Sequence, residues 1–422
     1  MIKKIRYNIV QKPKKTKFPD KKQLLLSLAL VCIVFLAMSV LLGRHGSKSS
    51  DSGSLEVTSS TKDNQDTEPK EQSVDLLAVG DMLPHETVTK AAKSSSGDYD
   101  YLSLISPDLQ KAFKKADLRF CNQEAPSAAS LGVRGYPAFN APAKFPADLS
   151  SFGCNLISTG NNHASDGGQA GIDGTLKEWD ELNPLAISGT NRSQEEADKL
   201  RTFEFKGIKF GFVAFSQDSN ASQPNSYSVN RLSNAKLLES QIKEMKKQVD
   251  VVIVSAHWGT EDGHTVNSLQ NKYAQQISDL GADIIIGSGP HVWQGYKDLK
   301  GSGGNTTHTW FSIGNGLNSQ TKVDQLFSGL ALIKITKTKD GSISITEPRV
   351  LPTYMHYVWG NGIGLSDPQL LARKDLKWSL LNEPGTEDLI SKRNDFKTTS
   401  EAQAAKLKSY LANDQVEVLQ SY

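Results

Sequence analysis

Cysteine is scarce in this sequence. Three residues (Cys32, Cys121, Cys154) in a chain of 422 exclude a disulfide-built scaffold and a cysteine-rich zinc module. Beyond the N-terminal arm no basic stripe interleaved with aromatics occurs, which argues against nucleic acid as a partner. Apolar residues are not lacking: at 37% apolar and 22% charged, the chain can bury a sizeable core and is not disordered throughout. Its length points to two or three structural units. The formal charge of +2 hides an asymmetry. Residues 1–22 hold nine Lys/Arg against one Asp, a net of +8, so the remainder carries −6.

The segment after the basic arm sets the compartment. Gln23–Gly43 runs 21 residues without a charge. At about 1.5 Å per residue a helix of that length spans a hydrocarbon core about 30 Å thick. Lys21 and Lys22 flank it, so the positive-inside rule keeps residues 1–22 in the cytoplasm and sends the rest outside. A cleaved signal peptide is the competing reading, but its apolar region is usually shorter. The expectation is a single-pass anchor in the cell membrane. Residues 44–72 are Ser, Thr, Asp, Lys and Glu with almost nothing to bury, the composition of a disordered linker.

From Val74 onward a rhythm begins. Short apolar runs end in polar clusters: Leu76–Val79 before Gly80-Asp81, Leu118–Cys121 before Asn122-Gln-Glu124, and Asn155–Ser158 before Gly160-Asn-Asn-His163. Val251–Val254 leads to His257, and Ile284–Ile286 to Gly287-Ser-Gly-Pro-His291. Runs of about four are the length of a buried strand. Between them Ile172, Leu176, Trp179 and Leu182, then Leu238, Ile242, Met245 and Val249, then Tyr273, Ile277 and Leu280 follow helical spacing. Strands alternating with helices predict an α/β fold on a mainly parallel sheet, with ligands gathering beyond the carboxyl ends of the strands.

Asp81, His85, Asn122, Glu124, Asn161, Asn162, His163, His257 and His291 all sit at such ends. Carboxylate, amide oxygen and imidazole together suit a borderline divalent ion such as Mn, Fe or Zn. The absence of thiolates disfavours a structural zinc site. Singly, each residue is accounted for by turn, cap or core chemistry; five clusters at successive strand ends are not.

The stretch from about Ser73 to Thr353 resembles the CapA-like capsule-synthesis family, associated with poly-γ-glutamate and built on a calcineurin-like metallophosphoesterase fold. The resemblance rests on AVGDM, FCNQEAPS, FNAPAKFPADL, LISTGNNHASDGG, GTNRSQEEA, KFGFVAF, VVIVSAHWGTE, GADIIIGSGPHVWQG and FSIGNGL in that order. It implies a layered sandwich, central β-sheets flanked by helices, over residues 73–355. It implies metal ligation by Asp81, Glu124, Asn162, His257 and His291, with Glu124 the bridging carboxylate. His163 would be the neighbouring acid or charge stabiliser, oriented by Asp166; His85, Asn122, Asn161 and His264 are secondary candidates. The implied role is in synthesis, export or anchoring of an anionic surface polymer, beside membrane proteins of capsule synthesis. A stand-alone extracytoplasmic metal-dependent hydrolase of phosphoesters or amides, or a non-catalytic binding version of the fold, is the alternative.

One departure bears on the chemistry. Family members usually carry His-Pro-His where this chain reads Gly289-Pro290-His291. With one imidazole gone, the expectation is one tightly held ion rather than two, and little or no phosphoesterase turnover. Cys121 and Cys154 are expected as buried free thiols. Residues 356–422, polar with sparse apolar positions, are expected to form a mostly helical extension along one edge.

Overall fold

The computed structural model describes residues 70–360, 373–411 and 413–422. The basic arm, the apolar span Gln23–Gly43 and the linker up to residue 69 lie outside those residues. Among the described residues no helix is long and apolar enough to cross a membrane.

Two sheets form the centre. The first has the order β13-β12-β11-β1-β2-β3-β4, with β14 beside β12. Its strands are β1 (Gln72–Met82), β2 (Leu118–Gln123), β3 (Leu156–Ser158), β4 (Ala186–Ser188), β11 (Phe327–Lys337), β12 (Ile343–Trp359), β13 (Arg373–Leu380) and β14 (Glu417–Val418). The second has the order β5-β6-β7-β8-β10-β9. It comprises β5 (Thr202–Phe205), β6 (Ile208–Ser216), β7 (Val251–His257), β8 (Ile284–Ser288), β9 (Tyr296–Lys300) and β10 (Thr306–Trp310). Strands β1 to β4 run parallel, as do β6, β7, β8 and β10. The flanks are antiparallel: β11, β12 and β13 on one sheet, β5 and β9 on the other. Each sheet is thus mixed around a parallel centre.

Helices cover the outer faces: α1 (Glu86–Ala92), α2 (Pro107–Lys115), α3 (Lys144–Phe152), α4 (Gly168–Leu182), α5 (Ala235–Lys246) and α6 (Ser268–Asp279), while α7 (Ser400–Leu411) adds Leu407 and Leu411 to the layer between the sheets. Local chemistry sets their starts. Ser106 accepts from the Leu109 N–H ahead of Pro107, and Asn267 and Gln270 close a capping box on α6.

Strand alternation sorts side chains into three apolar layers. Leu76, Ala78, Phe120, Leu156, Phe212, Ile253 and Ile286 fill the space between the sheets. Leu77, Val79 and Cys121 face outward onto Phe113, Phe145 and Phe152 of α2 and α3. Val252, Val254 and Ile285 face outward onto Leu238, Ile242 and Ile277 of α5 and α6. Because both strand faces are covered, the strands read as continuous apolar runs. The result is a mixed α/β fold, two sheets flanked by helices.

Two expectations are corrected. Cys121 and Cys154 are not free thiols; they form a disulfide with a Cα–Cα separation of 5.8 Å. The pairing of β2 with β3 and the Gly153 turn after α3 bring the two sulfurs together, a tertiary juxtaposition that spacing alone does not reveal. The described residues of 356–422 are not mostly helical: the expected boundary falls inside β12, and residues 373–380 form β13. There Leu376 and Trp378 are buried and the strand pairs antiparallel with β12.

Candidate metal centre

The parallel strands all deliver their polar ends to one place. On β1 the pairing with β2 slips between Val79 and Asp81, which re-aims the aspartate. Gly80 permits this, because a Cβ there would lie 1.9 Å from the Gly314 carbonyl oxygen. Asp81 is fully buried and accepts from the Asn122 amide at 2.7 Å and the Gly289 N–H at 3.1 Å. Glu124, just beyond β2, is anchored by its backbone N–H to Met82 O at 3.1 Å.

Asp81, Glu124 and His257 can each offer one ligand atom within 4.8 Å of the others. His257 at the end of β7 turns Nε2 to within 3.4 Å of Glu124 Oε1, while its Nδ1 lies 3.0 Å from Ser288 Oγ. His291 lies alongside: Nδ1 is 3.1 Å from Asp81 Oδ2 and 3.0 Å from Asn315 Oδ1, and Nε2 is 3.8 Å from Glu124 Oε1. Its φ of +60° is unusual for a side-chain-bearing residue and marks a held conformation.

Glu124 provides the test of fit. It is 0% exposed, yet neither carboxylate oxygen has a hydrogen-bond partner. A buried carboxyl left in that state is strongly disfavoured without a cation or proton. The donor set of two carboxylates and imidazole, with the Ser288 and Asn315 side chains fixing the rings, is what a divalent ion requires.

The charges agree. Burial drives the Glu124 carboxyl well above its ordinary value, with the Asp81 charge adding to the effect. Burial also acts to raise Asp81, but the hydrogen bond to His291 and the neighbouring imidazoles outweigh it and hold Asp81 at about 2. His257 is pushed down to about 4 by burial, so it is neutral near pH 7 and its 3.7 Å approach to Asp81 is not an ion pair there. His291 goes the other way: burial is outweighed by Glu124, Asp81 and Glu261, which raise it well above the ordinary range. Without an ion, the environment thus biases both Glu124 and His291 toward holding a proton where the ion would sit.

The remaining candidates divide. His163 Nδ1 lies 2.7 Å from Asp166 Oδ2, and its Nε2 faces Asn220 at 3.3 Å. Asn162 presents a buried Oδ1 without a partner. These three, with His257, Glu261 and Gly289, line an open cleft of about 670 Å³ whose other wall includes Tyr136 and Pro137. Asn122 and Asn161 orient neighbours: Asn161 donates to Gln123 O at 2.8 Å and accepts from the His163 N–H at 3.2 Å. His85 packs edge-on to Phe139 with Nδ1 3.2 Å from Leu83 O, beside the centre rather than in its ligand group. His264 is turned elsewhere, between Trp293 O at 2.9 Å and Asp324 at 3.0 Å. Sequence reasoning missed Glu261, whose Oε1 is 3.6 Å from His291 Nε2, and Asn315, Ser288 and Asn220. Glu261 and Asn315 stood inside the HWGTE and FSIGNGL motifs, the one signal that pointed to them.

Comparison with known proteins places these residues in a family context. The family model described as "Bacterial capsule synthesis protein PGA_cap" matches residues 75–320, more than half of the chain. The "PGA biosynthesis protein CapA" of Bacillus subtilis (strain 168) is 30% identical over 202 residues, 47% of this chain and 51% of that protein. The "Capsule biosynthesis protein CapA" of Bacillus anthracis is 27% identical over 154 residues, 35% of this chain and 37% of that protein. The matched stretches thus span about half, or less, of these curated relatives. Among solved structures, the NAD nucleotidase of Haemophilus influenzae overlaps with a TM-score of 0.41 at 13% identity, covering 81% of this chain and 61% of that one.

Proposed function

The chain belongs to the bacterial capsule synthesis protein family, and from that premise we propose that it takes part in synthesis, export or anchoring of an anionic capsule polymer of the poly-γ-glutamate type through a metal-binding pocket. The observation that carries the reading is Glu124: a fully buried carboxylate, neither oxygen hydrogen-bonded, between Asp81 and two imidazoles, one of which, His257, also lines an open cleft. A bound divalent ion would supply the positive charge that draws a carboxylate or phosphate of the polymer to the cleft. Asp81, Glu124 and His257 would hold it, with His291 alongside. His163, held by Asp166, would face the polymer from the cleft wall as a proton donor or charge stabiliser.

In this reading the domain works outside the cell, tethered by Gln23–Gly43 and acting beside membrane proteins of capsule synthesis. The Cys121–Cys154 disulfide supports that placement, since such bonds persist in oxidising compartments. Gly289 favours a version that binds, or turns over slowly, above a fast two-ion hydrolase. Its N–H is given to Asp81, and a Cβ there would lie 2.7 Å from the Trp258 carbonyl oxygen, which crowds out a second imidazole.

The test is made in the cell that produces the polymer. A chain carrying Glu124→Gln in place of the native one should leave the protein at its normal level while surface-bound polymer falls at least tenfold. Undiminished polymer would contradict the reading.

A further inference from the structure

The C-terminal helix lies outside the residues matched by the family model, 75–320, yet it reaches the back of the metal centre. Leu407 and Leu411 of α7 are buried in the same apolar layer as Trp293, two residues beyond His291. From that anchorage Tyr410 stacks on the His264 ring, with centroids 3.7 Å apart and planes inclined by 12°. Lys406 pairs with Asp324 Oδ1, and the Tyr410 hydroxyl donates to Asp324 Oδ2 at 3.4 Å. His264 is thereby held on three sides: Tyr410 on its face, Asp324 at Nε2 and Trp293 O at Nδ1.

What His264 holds is the point. It sits in the loop between β7 and α6, three residues after Glu261, and its Nδ1 contact grips the turn that follows β8 and carries His291. The same loop and turn are joined by the Asp262 N–H to Pro290 O at 2.9 Å and by Gln294 Nε2 to Gly263 O at 2.7 Å. His291 stands at φ +60°, a conformation that persists where surrounding contacts over-determine it.

We propose that α7 is a clamp on the metal centre: Tyr410, acting through His264 and Asp324, presses the loop bearing Glu261 onto the turn bearing His291, and so is a positioning residue for the ion. The ion itself rests on the reading given under Proposed function; the clamp does not. It gives His264 a task other than ligation and assigns the C-terminal segment a part in the centre.

The test uses the full chain, with Tyr410→Ala and Tyr410→Phe. Amide exchange of the metal-free protein is read first. Tyr410→Ala should speed exchange at Asp262 and across residues 291–294 about tenfold, and Tyr410→Phe, which keeps the stack, should restore the native rates. Acceleration confined to residues 400–411 would overturn the clamp whatever the metal does. Mn(II) affinity is read second. Tyr410→Ala should weaken it about tenfold, with Tyr410→Phe close to native. Unchanged affinity in Tyr410→Ala would overturn the positioning role. A native protein that takes up no ion would overturn the reading beneath it, and the exchange result would still decide the clamp.

Discussion

A Cβ at Gly289 would lie 2.7 Å from the carbonyl oxygen of Trp258, so the backbone of one site loop occupies the space where the next residue type would begin. The φ of +107° at Gly289 adds strain for any side chain. The vacancy in the His-Pro-His pattern is therefore not one that substitution can refill. Gly289→His should lower stability by roughly 2 kcal/mol or more, and should reduce retained metal rather than raise it. Thermal unfolding and elemental analysis check this; a stable variant with added metal would contradict it.

Metal binding should release protons. In the metal-free protein Glu124 and His291 both hold a proton more tightly than their unfolded counterparts. At these two groups the folded state binds more protons, so their contribution to metal-free stability falls as pH rises above the ordinary carboxylate and imidazole values of 4.5 and 6.5. His257, held down at about 4, contributes in the opposite sense between about 4 and 6.5. An ion replaces those protons, so its affinity should rise with pH, about tenfold per pH unit for each proton displaced. Calorimetry in two buffers of different ionisation enthalpy reads the protons directly. An affinity independent of pH between 5 and 8 would show that these groups are not the ligands.

The disulfide should stabilise the scaffold that carries Glu124 and Asn162. Closing a separation of 33 residues stabilises by about 2–4 kcal/mol in the chain-entropy account. Cys154→Ser should lower the midpoint of unfolding accordingly and weaken metal binding only slightly, since neither sulfur is a ligand. Denaturant titration with and without reductant checks this: reductant should shift the native protein and leave the variant unmoved.

The strands of the two parallel centres were legible because burial on both faces writes them as unbroken apolar runs, as in Val251–Val254 and Ile284–Ile286. The candidate ligand residues were legible for the same reason, since they stand where those runs stop. Glu261 was not: it is two-thirds exposed on a loop, and only the folding of that loop over His291 gives it meaning. Asn315 was hidden by distance, because its bridge to Asp81 forms only when β11 is laid against β1. His264 misled, since an imidazole five residues beyond HWG looks the same in sequence whether it faces an ion or an aspartate. The strand at residues 373–380 lay inside a polar segment whose two buried apolar residues, Leu376 and Trp378, are too few to declare a period.

The most direct measurement is the metal content of the native chain beside Glu124→Gln, after exhaustive dialysis against a metal-free buffer. The substitution keeps the volume of the side chain and removes the charge, so the fold, read by circular dichroism and thermal unfolding, should stand. The account predicts close to one equivalent of a divalent transition metal in the native protein and less than about a tenth of that in the variant. Equal metal in both, or none in either, would contradict it.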